Sequence, residues 1–145
     1  MKASQQQTES QIQQAFVKVV NDILLYRFPC LRWLHAIPNG VRVAGIGAAV
    51  KARREGMTAG IADMFLPYPR DCWHGLYLEF KRGKKGRLSK SQEDFRDWCD
   101  EFSYKFCVVH SVETGIQILQ EYITAPRPLR FANARNEKAT ERLSR

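Results

Sequence analysis

Asp63, Glu79 and Lys81 are the residues of this chain best placed to do chemistry. Glu79 and Lys81 interrupt the apolar run Leu76-Tyr77-Leu78-Glu79-Phe80-Lys81, and Asp63 interrupts Ile61-Ala62-Asp63-Met64-Phe65-Leu66. Side chains alternate between the two faces of a strand, so Leu76, Leu78 and Phe80 would point one way and Tyr77, Glu79 and Lys81 the other. Two steps of strand set Glu79 and Lys81 about 6.6 Å apart, at ~3.3 Å per residue. If the two runs pair, two carboxylates and one amine meet on one face, which is the layout of a metal-dependent hydrolase. Taken alone, a Glu-x-Lys pair more often marks a solvated, charge-balanced strand face. Asp63 weighs towards chemistry, because an ionised carboxylate is rarely buried without a partner or a metal.

The elements that must position these residues can be read from apolar periodicity and turn residues. Thr8 and Ser10 are candidate caps for a first helix carrying Ile12, Ala15, Phe16, Val19, Val20, Ile23 and Leu24 at helical spacing and ending before Pro29. Ile37-Pro38-Asn39-Gly40 reads as a turn. Ala48 to Glu55 suits a short helix stopped by Gly56, with Lys51, Arg53 and Arg54 exposed. Strands follow at Ile61 to Leu66 and Leu76 to Arg82, joined by a loop holding Pro67, Pro69 and Asp71. Ser89 or Ser91 would cap a helix with Phe95, Trp98, Cys99 and Phe102 on one face. Phe106 to His110 makes a further strand and Val112 to Tyr122 a last amphipathic helix. The expected fold is α/β, a mixed β-sheet flanked by helices. One domain is expected over residues 1–124, followed by a basic, flexible tail over 125–145.

A length of 145 residues suits one core, and a hydrophobic content of 44% is ordinary for a globular protein. The formal net charge of +8 is unevenly spread. Between Lys81 and Lys90 stand Lys81, Arg82, Lys84, Lys85, Arg87 and Lys90, with no acid among them. The tail adds Arg127, Arg130, Arg135, Lys138, Arg142 and Arg145 against Glu137 and Glu141. Charge of this sign and clustering points to a polyanion, nucleic acid first; for the tail, a merely solubilising role is an equal reading. Cys30, Cys72, Cys99 and Cys107 show no C-x-x-C pair or finger spacing and read as buried, reduced thiols. His35, His74 and His110 form no ligand spacing. The N-terminus has no signal-peptide pattern, and no apolar run approaches the ~20 residues of a membrane span. A soluble, cytoplasmic protein is expected.

Asp63 followed by Glu79-Phe80-Lys81 resembles the split signature of the PD-(D/E)XK nucleases, and the wider string resembles their virus-type replication-repair branch, the VRR-NUC domain. The matching pieces are Ile37-Pro38-Asn39-Gly40, Gly56 through Gly60-Ile61-Ala62-Asp63, the strand Leu76 to Lys81, Leu88-Ser89-Lys90-Ser91-Gln92 and the strand-helix ending at Tyr122. They span about residues 9 to 123. Ala62 departs from the pattern, standing where a proline often precedes the aspartate; that proline is not a ligand.

The resemblance implies a restriction-endonuclease-like core and a Mg²⁺-dependent DNA endonuclease, with Mn²⁺ able to substitute. Asp63, Glu79 and the Phe80 carbonyl would supply oxygens to the metal, and Lys81 would hold the attacking water or offset transition-state charge. Gln92 resembles the family's motif glutamine and would orient the water or the lysine; a local bond at the helix start is its other reading. Family members typically carry a glutamate on the first helix that completes the metal site. Glu9 is the candidate, and a carboxylate at a helix start is also favoured by the helix dipole; Gln13, one turn on, is the fallback. Arg82, Lys84, Lys85, Arg87 and Lys90 would grip flanking phosphates. The partner implied is DNA, branched or otherwise structured, and compact stand-alone members resemble Holliday junction resolvases, which work as homodimers. A phage or prophage origin, in a bacterial or phage-infected cytoplasm, follows from the same resemblance. The alternatives are a flap or nicking nuclease, and a non-catalytic basic nucleic-acid-binding module.

Overall fold

The computed structural model describes residues 7–38, 46–83 and 86–128. The chain opens with α1 (Glu9–Val19), capped by Thr8 in a reciprocal box with Gln11. A wider π-helical turn (Val20–Leu24), a last α turn, α2 (Leu25–Arg27), and a 3₁₀ turn (Pro29–Trp33) follow. Next come β1 (His35–Ala36), α3 (Ile46–Arg54), β2 (Met64–Leu66), β3 (Leu76–Phe80), α4 (Lys90–Glu101), β4 (Lys105–Val109) and α5 (Val112–Thr124). The sheet order is β1-β2-β3-β4, antiparallel for the first two pairings and parallel for β3 and β4, so the sheet is mixed as expected.

The helices cover both faces. Leu76, Leu78 and Phe80 point into the main core with Ile12, Phe16 and Val20 from the first helix and Leu119, Tyr122 and Ile123 from α5. Gly115 permits the close approach of α5: a Cβ there would lie 2.9 Å from the Phe16 ring and 3.0 Å from Val109. On the opposite face α4 lies over the sheet through aromatic contacts, Tyr77 with Phe95 at 5.0 Å and Phe95 with Phe106 at 6.2 Å between ring centres.

The differences from the sequence reading have local causes. The buried positions of the first helix, Ile12, Phe16, Val20 and Leu24, recur every four residues. In a regular α-helix each such step drifts ~40° around the axis. The wider π turn takes up that drift and keeps Leu24 in the core, and Ile23, expected inside, is 63% exposed. The second strand begins at Met64, not Ile61, and the third ends at Phe80. A strand the sequence did not mark, β1, borders β2. Cys72 is exposed, correcting its reading as a buried thiol; it stands with Asp71 (φ 52°) at the tip of a tight turn closed by mutual backbone bonds between Arg70 and Trp73. Cys30 and Cys107 are half-buried, Cys99 is buried and all four are free. On the aromatic face of α4, Trp98 and Phe102 are nearly half exposed.

Gly56 does stop α3: at φ 95° it closes the helix with a bond from its N–H to Arg53 and one from Met57 N–H to Ala52. Lys51, Arg53 and Arg54 are exposed on that helix. Ser89, rather than Ser91, caps α4. Arg70, which the sequence reading passed over, ties the β2–β3 connection to the end of α5. Its Nε donates to the Ile123 carbonyl at 2.9 Å, its guanidinium lies 4.0 Å from the Tyr68 ring centre, and Tyr122 Oη donates to the Tyr68 carbonyl at 2.7 Å. Asn39, Gly40, Lys84, Lys85 and the tail from residue 129 lie outside the described residues. Among the described residues no helix is long and apolar enough to cross a membrane.

Candidate active site

Antiparallel pairing of β2 with β3 sets Met64 opposite Leu78, so one step further Asp63 stands beside Glu79. Two backbone bonds hold Asp63 there. Its carbonyl accepts from Ile37 N–H at 2.8 Å, and its Oδ2 accepts from Phe80 N–H at 2.7 Å. Glu79 is 2% exposed. Its Oε1 receives Lys81 Nζ at 2.8 Å and Gln92 Nε2 at 2.5 Å, while its Oε2 is buried without a hydrogen-bond partner. The structure therefore brings Asp63, Glu79, Lys81 and Gln92 together where β3 leaves the sheet.

Gln92 reaches the site because of how α4 starts. Ser89 Oγ accepts from Gln92 N–H, and Gln92 Oε1 accepts from Ser89 N–H at 2.9 Å, a reciprocal capping box. The amide oxygen thus closes the cap while the amide nitrogen binds Glu79. The local bonding weighed for this residue is present, and the amide nitrogen reaches Glu79 rather than the lysine. Gly60 allows the loop before Asp63 to lie against the same turn. Its φ is 89°, and a Cβ there would lie 2.5 Å from the Ser91 carbonyl oxygen.

Glu9 opens α1, and its Oε1 accepts from Arg82 N–H at 3.1 Å, just past the end of β3. Its charge is close enough to push up both Asp63 and Glu79. Gln13, one turn later, lines a shallow surface pocket with Ser10, Gln14 and Val17. Of the basic set, Arg82, Arg87 and Lys90 are exposed, and Lys90 Nζ pairs with Asp94 at 2.9 Å. Lys84 and Lys85 lie outside the described residues. Gly86 brings the returning loop onto Lys81, where a Cβ would lie 2.8 Å from the lysine Cβ.

Burial dominates the electrostatics. Loss of water raises the Glu79 carboxyl from 4.5 to about 7; the Lys81 bond pulls it down, and the Asp63 and Glu9 charges push it up. Burial also raises Asp63, against the Phe80 N–H and the Lys81 charge, which lower it. Two carboxylates in a site that disfavours their charge, one with an orphaned buried oxygen, form a hard donor set that suits a divalent cation. Among the described residues no three His, Cys, Asp or Glu side chains gather into a ligand set. A cation here would complete its shell with backbone oxygen and water, as Mg²⁺ ordinarily does.

One residue near the site escaped the sequence reading. Parallel pairing aligns Phe80 with Val109, and Lys81 N–H donates to the Val109 carbonyl at 2.9 Å. The next residue, His110, holds a buried Nδ1 without a partner. No spacing signal could have found it, because the pairing of β3 with β4 across an intervening helix sets its place.

No family model matches the sequence, and no curated protein matches it. Among solved structures the chain is similar to one described as a VRR_NUC domain protein, with a TM-score of 0.71 and 21% identity over 88% of this chain and 94% of that one. The chain accordingly shares the fold of that VRR_NUC domain protein.

Proposed function

We propose that this chain is a nuclease of the VRR-NUC type, a Mg²⁺-dependent endonuclease that hydrolyses DNA phosphodiester bonds and selects branched structure over sequence. The observation that carries the proposal is Glu79, a buried carboxylate with one oxygen held by Lys81 and Gln92 and the other orphaned, next to Asp63 in a nuclease fold. Asp63, Glu79 and the Phe80 carbonyl would hold the cation, with water completing its shell, while Glu9 stands outside that set with its Oε1 on Arg82 N–H. Bound there, Mg²⁺ supplies polarisation of a phosphoryl oxygen and a water of lowered pKa.

The side chains account for the rest of the chemistry. Lys81, fixed against Glu79, presents an ammonium to the attacking water and offsets the charge that builds on the phosphate. Gln92 keeps the Glu79 carboxylate in one orientation, so no rotamer search precedes reaction. Arg82 and Arg87, with Lys84 and Lys85 in the same loop, would contact phosphates on either side of the cut, which positions the strand without reading its sequence.

The test is cleavage of labelled four-way junction, flap and plain duplex DNA with Mg²⁺ or Mn²⁺, comparing wild type with Glu79→Ala. Metal-dependent cutting that is lost in the variant and stronger on the branched DNAs than on plain duplex is expected. Binding of DNA without cutting in either protein would overturn the catalytic reading in favour of a basic binding module.

A further inference from the structure

The described surface carries two exposed aromatic groups in opposite electrostatic settings. Trp98 and Phe102 lie 5.1 Å apart beside Asp94, Asp97, Asp100 and Glu101, a setting that repels a polyanion. Trp33 is 61% exposed and Tyr26 97% exposed, and both belong to a stretch from Ile23 to Arg54 that contains no acid and six cations, Arg27, Arg32, Arg42, Lys51, Arg53 and Arg54. The Arg32 guanidinium lies 5.2 Å from the centre of the Trp33 ring, and Arg27 sits likewise at 5.3 Å from Phe28. An exposed indole beneath a guanidinium, within an acid-free stretch of sequence, matches a polyanion that also offers flat rings.

The position of Trp33 relates it to the candidate centre. Trp33 ends the 3₁₀ turn and leads through extended Leu34 (φ −67°, ψ 120°) into β1. The same strand arrives at Ile37, whose N–H is bonded to the Asp63 carbonyl. Four steps of near-extended chain put Trp33 roughly 13 Å from Ile37, the residue bonded to Asp63, at ~3.3 Å per residue. That is the reach of about four nucleotides at the ~3.4 Å phosphate rise of a stacked strand, and fewer if the strand is stretched. His35, between them, lies against Phe65 at 5.9 Å, and Phe65 stacks on Tyr77 at 4.3 Å. Tyr77 is on the same face of β3 as Glu79, so the His35 side chain of the edge strand β1 lies on the face of the sheet that holds the candidate centre.

We propose that Trp33, with Arg32, is a stacking platform for an unpaired nucleotide of the strand that enters the active site. The occupant is single-stranded DNA at a fork, flap or overhang. This rests on the nuclease reading and adds to it a substrate class, DNA with an unpaired arm. Base-on-aromatic stacking is sequence-tolerant, because every base has a π face, and is strengthened by a neighbouring arginine.

The experiment measures affinity and cleavage separately. Binding of fluorescein-labelled blunt duplex, and of the same duplex with a single-stranded overhang, is followed by anisotropy in EDTA for the Glu79→Gln protein with Trp33 intact, Trp33→Ala, Trp33→Leu or Trp33→Phe. The expected result is a roughly 5- to 150-fold loss of overhang affinity in Trp33→Ala and Trp33→Leu, the effect of one stacked base, a much smaller loss on blunt duplex, and recovery in Trp33→Phe. Equal losses on both DNAs, no loss on either, failure of the intact protein to bind the overhang, or recovery by leucine as well as phenylalanine would overturn the platform. So would a shift in oligomeric state on Trp33→Ala, which would assign the ring to contact with a second copy. Cleavage by the chain with Glu79 intact is assayed in parallel. Cutting without a Trp33 effect removes the platform alone, and a Trp33 effect without cutting removes the nuclease reading alone.

Discussion

Replacing Glu79 by glutamine should change how stability depends on pH, by an amount that follows from the geometry of the site. In the metal-free protein burial raises the Glu79 carboxyl from 4.5 to about 7. A raised folded-state pKa means that the native chain holds a proton the unfolded chain has released. The stabilisation from that proton is fully present below about pH 4.5 and is lost as pH rises through about 7. At ~1.4 kcal/mol per pKa unit the whole span is about 3 kcal/mol, of which about 2 kcal/mol falls between about pH 5.5 and about pH 8. Glutamine has nothing to titrate. Its amide nitrogen would sit where Oε2 lacks a partner and cost about 1–3 kcal/mol, but that cost is constant with pH. Burial of Asp63 acts with the same sign in both proteins and cancels in the comparison. The assay is urea unfolding in EDTA at the two pH values. Wild type should lose about 2 kcal/mol more than Glu79→Gln, and excess Mg²⁺ at the higher pH should restore wild type alone. Parallel losses in the two proteins would refute the reasoning, because Glu79 would then be ionised throughout.

Three further perturbations follow from the same contacts. Lys81→Met removes the bond that pulls the Glu79 carboxyl down; its metal-free stability should keep falling at pH values where wild type has levelled off, and DNA cleavage should be lost while DNA is still bound. Gln92→Ala removes the side-chain half of the reciprocal cap and the Glu79 contact together, costing about 1 kcal/mol by thermal unfolding, whereas Gln92→Glu keeps an acceptor for Ser89 N–H and should unfold later than the alanine variant, but it sets a carboxylate against Glu79 and should cut no better. Gly60→Ala forces a Cβ onto the Ser91 carbonyl at positive φ and should cost about 1–3 kcal/mol in urea unfolding, with cleavage falling as the first turn of α4 is displaced.

What the sequence made legible was whatever a short-range pattern encodes. The two-residue alternation through Leu76 to Lys81 set the core face and the site face of β3 correctly, because a strand allows only those two faces. Thr8 and Ser89 announced their helices through local side-chain bonds, and Gly56 its helix end through its backbone freedom. The cluster of Asp63 with Glu79 was reachable because two adjacent strands were joined by a short loop. Pairing across the chain was not legible in this way. β1 is two residues long and is defined by its bonds to β2, so nothing in its own composition marks it. His110 comes beside Lys81 through a parallel pairing that crosses α4. Ile23 fits the helical period and is nevertheless exposed, since a π turn reverses the drift the period assumes. Arg70 looks like a solvated loop residue until the end of α5 supplies a carbonyl for it.

Gln92 shows why local and functional readings of a residue need not compete. An amide carries an acceptor and a donor on the same carbon, and here Oε1 turns back to Ser89 N–H while Nε2 reaches forward to Glu79 Oε1. The rotamer that closes the cap is therefore the rotamer that fixes the carboxylate. The coupling extends to the loop before Asp63, since Gly60 lies against Ser91 in the same turn. Three segments distant in sequence, the approach to Asp63, the end of β3 and the start of α4, are held by one turn of helix. A frayed α4 terminus would release the Glu79 side chain and unseat the loop that leads to Asp63 in the same event. The first turn of α4 is thus as much a part of the candidate site as the carboxylates, and its capping energy is a direct measure of how well that site is preorganised.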